Sequence, residues 1–200
     1  MAIDVTDAMP PRAAALGERL LAPLGRRWRH VEGVARRAGS LSSLASAEER
    51  PAVVTAAWLH DVGYAPGIVV TGLHPLDGAR YLRSEGWPEL VVCLVAHHTG
   101  AEVEAEERGL SRELAEFDRP PEPLLDLVTT ADLTTSPDGE EVDARQRLAE
   151  IVRRDPPGDP VHSAVTRSGP SLLAAAERVS RRLWREQLSL SDVGLPDPPG

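Results

Sequence analysis

Trp58-Leu59-His60-Asp61-Val62-Gly63-Tyr64 closes an apolar run, Ala52-Val53-Val54-Thr55-Ala56-Ala57, and its reading decides the fold. The run predicts a helix buried on most sides. Its C-terminal end carries His60 and Asp61, two side chains able to bind a metal. The negative end of a helix dipole is a poor place for a carboxylate. Burying Asp61 there costs free energy unless a positive charge offsets it, and a divalent cation is the natural candidate. An isolated His-Asp pair at a helix end could equally point to solvent, so the weight falls on what surrounds it.

Upstream, Leu16, Leu20, Leu21 and Leu24 recur at helical spacing from Pro11 to Gly25. A second helix follows through about Ser40, with Trp28, Val31 and Ala35 as its apolar stripe and His30 at the stripe's edge. Ser46 and Glu49 have capping-box spacing, while Pro51 sets the regular helix start near Arg50. Downstream, the turn-rich loop from Gly63 to Leu73 lies beside the His-Asp pair and is expected to contribute to a pocket mouth. His74-Pro75 opens the next helix, with proline in a favourable first position and His74 at the cap. After Pro88, a nearly continuous apolar run, Leu90 to Ala96, leads into His97-His98-Thr99-Gly100. The acidic segment through Glu107 reads as a solvated helix face. Pro120, Pro121 and Pro123 then mark a boundary before a helix from Leu124 to Asp132. Leu124, Val128 and Asp132 recur every four residues, which keeps Asp132 on the apolar face and turns Asp126 to solvent.

Further helices are expected at about 142–154 and 171–187, split by Asp155-Pro156-Pro157-Gly158-Asp159-Pro160. The whole chain, 1–200, reads as one domain: a loose leader over 1–10, a helical core over 11–187 and a disordered tail over 189–200. His162 falls outside the pattern and reads as structural or surface.

The sequence His30, His60-Asp61, His74, His97-His98 and Asp132 resembles the ligand order of the HD-domain superfamily of metal-dependent phosphohydrolases. Five of the six histidines belong to it, too many to place at helix ends by chance. The resemblance implies an all-α fold, an HD-domain helical bundle, here with a helical C-terminal extension. It implies divalent metal ions, two of them, held by His30, His60, Asp61, His74, either or both of His97 and His98, and Asp132. Nitrogen and carboxylate ligands without thiolate suit Mn, Fe, Co, Zn or Mg. His74-Pro75-Leu76-Asp77-Gly78 is similar to the family segment that serves a second metal, and Asp61 is the expected bridge. Asp61 and His74 are the expected catalytic residues.

His97-His98-Thr99-Gly100 resembles the corresponding segment of HD enzymes that split dinucleoside polyphosphates. The paired histidines also resemble those of cyclic-dinucleotide phosphodiesterases, but Ala101-Glu102-Val103 stands where those carry Gly-Tyr-Pro. Many HD enzymes have lysine four residues after the motif histidine, and here that position is Tyr64. That leaves the lysine's role replaced or absent, and Arg27, Arg80 and Arg83 are candidates to clamp further phosphates. The expected activity is hydrolysis of a phosphomonoester, a phosphodiester or a nucleotide. An HD-fold di-iron oxygenase ranks second, and a metal-binding regulatory module without turnover third.

Composition narrows the partners. A net charge of −9 argues against a polymeric nucleic acid, which needs a basic surface, and leaves a small phosphate-containing molecule as the expected substrate. The chain has no lysine, which excludes a Walker-type phosphate loop and a Schiff-base lysine. With aromatics at 4%, Leu, Val and Ala must fill the interior. Cys93 has no cysteine partner in the chain. No apolar segment of membrane-spanning length and no signal pattern is read, so a cytoplasmic protein with no membrane partner is expected.

Overall fold

Val53, Ala56, Ala57 and Leu59 expose no surface, because the helix that carries them is enclosed by its neighbours. This helix, α3 (Arg50–Leu59), packs against α1 (Met9–Leu21), α2 (Arg26–Leu41), α5 (Glu89–His97) and α8 (Glu122–Leu133). Full burial stabilises by about 1.5–3 kcal/mol for a side chain such as Val53 or Leu59 and by about 0.8 kcal/mol for an alanine methyl, so α3 anchors the bundle. Ser46 and Glu49 exchange the reciprocal bonds of a capping box, each backbone N–H meeting the other's side-chain oxygen at 3.3 Å. They close a turn ahead of α3 rather than its first turn.

The structure, a computed structural model, describes residues 8–192. Among the described residues it holds α-helices and short 3-10 turns, with a single isolated bridge between Thr135 and Glu141 and no strand. The fold is all-α. None of the helices is long and apolar enough to cross a membrane. The remaining elements are α4 (His74–Ser84), which packs along α5, then α6 (Ala101–Arg108), the short α7 (Ser111–Leu114), α9 (Ala144–Arg154) and α10 (Pro160–Asp192).

The ends of the chain depart from the sequence reading. Helix α1 begins at Met9, inside the expected leader, and the rest of that leader up to residue 7 lies outside the described residues. Helix α10 begins at Pro160 rather than near residue 171, with Asp159 accepting the Val161 N–H at 2.8 Å, and it runs through Pro170. An internal proline costs a helix about 3 kcal/mol. Packing of α10 against α6, α8 and α9 outweighs it. Residues 189–192 of the expected tail continue this helix, and 193–200 lie outside the described residues.

Asp126 is a second departure. It is buried, not solvated, because α10 covers the outer face of α8 and Arg178 meets its carboxylate with two bonds at 2.6 and 2.7 Å. Removing one partner leaves a buried charge without its counterion. Arg178→Met is therefore expected to destabilise the fold by about 2–3 kcal/mol, less than a fully buried pair because the arginine is part-exposed. Urea unfolding of Arg178→Met beside Asp126→Asn/Arg178→Met checks it, since the double variant should recover part of the loss.

Candidate metal centre

Three histidines are aimed by the backbone carbonyls of helix ends and turns. His30 Nδ1 meets the Ser136 carbonyl at 3.0 Å, His60 Nδ1 meets that of Ala57 at 2.8 Å, and His98 Nδ1 meets that of Val95 at 2.6 Å. A carbonyl only accepts, so each Nδ1 carries the proton and donates. The Nε2 atoms of His60 and His98 then present lone pairs to a common space, while His30 Nε2 meets Asp132 Oδ1 at 2.9 Å. Gly33 on α2 permits the first contact. A Cβ there would stand 2.5 Å from the Gly139 carbonyl oxygen, so only glycine lets the 136–139 turn approach α2.

Helix α3 ends at Leu59, and a 3-10 turn, Val62–Tyr64, follows Asp61. Gly63 allows the start of α4 to press against this turn, which brings His74 to Asp61: His74 Nε2 lies 3.4 Å from Asp61 Oδ1. At the end of α5 the backbone leaves the helix abruptly. His98 is extended, with ψ 152°, and Thr99 takes the left-handed region at φ 39°. A non-glycine residue in that region is uncommon and stores strain of order 1–3 kcal/mol. The break sends the paired histidines in different directions. His98 joins the cluster, while His97 Nε2 bonds the Phe117 carbonyl at 2.9 Å and its Nδ1 lies 3.3 Å from Glu102. His97 is thus corrected from candidate ligand to a residue that ties α5 to the 117 turn.

The remaining six residues form two groups, His30, His60 and Asp132 in one and Asp61, His74 and His98 in the other. Within each group the ligand atoms lie within 4.8 Å of one another. Asp61 faces both, with Oδ2 3.5 Å from His60 Nε2 and Oδ1 toward His74. Two observations show that a cation fits here. His60 Nε2 is buried with no hydrogen-bond partner, and His74 Nε2 and His98 Nε2 face each other at 3.2 Å. With the His98 proton on Nδ1, this contact is an N–H···N bond donated by His74 Nε2 or, when a cation is bound, a pair of lone pairs facing it.

The electrostatics agree. Burial alone would raise the Asp61 carboxyl, but the Arg27 guanidinium at 2.8 Å and the histidines around it hold it well below the ordinary carboxylate range. Asp132 is also held low, burial being outweighed by the hydrogen bond from His30 at 2.9 Å. Burial pushes His74 and His98 below the usual histidine value, which favours their neutral, ligating form. The pattern is two anionic carboxylates, Asp61 and Asp132, buried together with His74 and His98 held toward their neutral form.

A family model, HD domain, matches residues 27–136. That is more than half of the 200 residues, and it contains every residue of both groups. The chain is an HD-domain protein. No curated protein and no solved structure matches it. HD domains bind divalent metals, and the two His/Asp groups suit that chemistry. Helices α9 and α10 lie outside the matched region.

Other residues reach the site that the sequence reading left unplaced or put elsewhere. Of the three arginines considered, Arg27 is at the centre, with its Cζ 4.0 Å over the Tyr64 ring, which stacks on His74 at 4.1 Å. Arg80 and Arg83 are paired instead with Glu116 and Glu89. Thr99, whose buried hydroxyl has no partner, lines the cavity. So does Glu104, which is buried and bonded to Arg108 at 2.7 Å, contrary to the expected solvated face. The loop after Tyr64 does not form the mouth. Asp77 gathers the N–H groups of Val70, Thr71 and Gly72 and folds the loop back on α4. That side of the cavity is lined instead by Arg147, Ile151 and Arg154 of α9 with Val161 and Val165 of α10. Long-range packing of this kind leaves no local sequence signal. His162 Nδ1 donates to the Asp155 carbonyl at 2.7 Å and pins the turn between those helices.

Proposed function

We propose that this HD-domain protein is a metal-dependent phosphohydrolase acting on a small phosphomonoester, phosphodiester or nucleotide through a dinuclear His/Asp centre. The observation that carries the reading is the position of Asp61, whose two oxygens face one His/Asp group each. A dinuclear site needs such a shared carboxylate. Bound divalent ions would polarise a phosphoryl oxygen and lower the pKa of water.

The chain's own residues account for the rest. His30, His60 and Asp132 would hold one ion, Asp61, His74 and His98 the other. The cavity above them has a volume of about 90 Å³, enough for a phosphoryl group and little bulk water. Arg27 is fixed by its stack on Tyr64 and would hold the phosphoryl oxygens where many relatives use lysine. The Thr99 hydroxyl, buried and without a partner, is a further donor to the same oxygens. Tyr64 orients Arg27 and His74 together, which gives the departure at that position a role.

Two measurements test the reading. The purified protein with Mn or the redox-inert Mg or Zn should release phosphate from members of a phosphoester panel under strict exclusion of oxygen. Failure across the panel, with substrate-dependent oxygen uptake by the iron form, would replace it with an oxygenase. His74→Ala should bind one metal equivalent fewer than the parent while remaining folded, as elemental analysis and circular dichroism would show. Equal metal content in both proteins would remove the dinuclear part of the reading.

A further inference from the structure

The small metal cavity is not closed on itself. Arg27, His30, Tyr64, Arg147, Arg154 and Val161 line both it and a larger outer cavity of about 360 Å³, so one opens into the other. The outer cavity is lined by five arginines against two carboxylates, Asp155 and Asp159. Each of these arginines is ion-paired, to Asp138, Asp61, Glu104, Glu150 and Asp155 in turn, so the space is lined by guanidinium groups held in place by carboxylates.

Arg147 is the informative residue. Its side chain is only 8% exposed, Glu150 holds Nη1, and the buried Nε has no partner. A buried guanidinium N–H without an acceptor is costly, and such donors are normally satisfied. Arg154, two turns further along α9, is held by Asp155 at 2.8 Å and keeps its guanidinium beside the same space. Asp143 fixes the start of α9 by accepting the Arg145 and Gln146 N–H groups at 2.9 and 3.1 Å. His162 and Asp155 fix its end. The wall is therefore a built surface rather than a loose one.

We propose that α9 supplies a second anion subsite, with Arg147 and Arg154 as its anchors, for a phosphate group of the substrate other than the one cleaved. Resting on the phosphohydrolase reading above, this specifies a substrate with two separated anionic groups, one over the metal centre and one in the outer cavity. Because α9 lies beyond the region matched by the family model, the subsite belongs to this chain's extension. Selection by the second group comes from charge-assisted bonds that a single phosphate cannot make.

The test is calorimetric and independent of turnover. Mn-loaded full-length protein is titrated with propane-, butane- and hexane-bisphosphonates and with the alkylphosphonates of matched length. At least one bisphosphonate should bind about tenfold or more tighter than its matched monophosphonate. In Arg154→Ala and Arg147→Gln that ratio should fall to within about twofold, while Arg181→Ala, on the exposed side of α10, keeps it. Arg147 is buried, so if its variant does not fold, Arg154→Ala alone decides. Equal affinities in the parent, absence of any binding, or a preference that survives at Arg154 would overturn the proposal. A preference without hydrolysis of any phosphoester would leave the subsite standing and remove the hydrolase reading; hydrolysis without a preference would do the reverse.

Discussion

Asp61→Asn is expected to lower phosphoester turnover by about a thousandfold or more and to reduce bound metal in the purified protein. The substitution keeps the shape of the side chain and removes its charge. Asp61 is buried beside Arg27, His60 and His74, and it is the carboxylate that faces both ligand groups. Without its charge, one carboxylate, Asp132, would remain to offset two divalent ions and a guanidinium in a water-poor site. Removing the carboxylate also leaves the part-buried Arg27 without its salt-bridge partner, so some loss of stability is expected with the loss of activity. Elemental analysis and phosphate release, measured on folded protein, check the expectation. Near-parental activity would mean that Asp61 does not bridge the centre.

Gly63→Ala carries the second large effect, and it acts through the backbone. A Cβ at this position would lie 2.0 Å from the His74 carbonyl oxygen and 2.8 Å from the Gly78 nitrogen. Both atoms belong to the first turns of α4, so no side-chain rotation relieves the clash. Overpacking of a close contact typically costs 1–3 kcal/mol, and an approach to backbone this short should cost about 3 kcal/mol or more. The alternative to unfolding is a shift of α4, which would draw His74 away from Asp61. Thermal unfolding and metal content together distinguish these outcomes, and either is a loss. A stable Gly63→Ala protein with full metal content would show that the contact between the turn and α4 is softer than the geometry indicates.

Gly63 also shows which kind of information the local sequence carries. His60 and Asp61 are legible as a site because an apolar run ends on them, and periodicity reports helix ends directly. The same holds for His30 at the edge of an apolar stripe, for His74 ahead of Pro75, and for Asp132 on the face of Leu124 and Val128. All five lie in the two groups that the fold brings together. The all-α fold was legible for the same reason.

What local pattern could not decide is which faces the rest of the chain covers. Asp126 reads as solvated because its own helix is amphipathic, yet α10 buries it against Arg178. The sequence reading starts the last helix near residue 171, yet α10 begins at Pro160 and runs through Pro170 because packing against α6, α8 and α9 carries it. His97 and His98 are neighbours about 100° apart on any regular helix, so periodicity cannot choose between them. The choice is made by the left-handed turn at Thr99, which exists because the end of α5 must meet α8, where the Thr129 hydroxyl takes the Thr99 N–H at 3.3 Å. By itself the sequence determined which side chains stand at the ends and buried faces of helices, because those are properties of neighbouring residues. Only the tertiary structure decided which of them converge, that Arg27 rather than Arg80 or Arg83 joins them, and that α9 forms the wall opposite. Those outcomes depend on contacts between segments far apart in the chain.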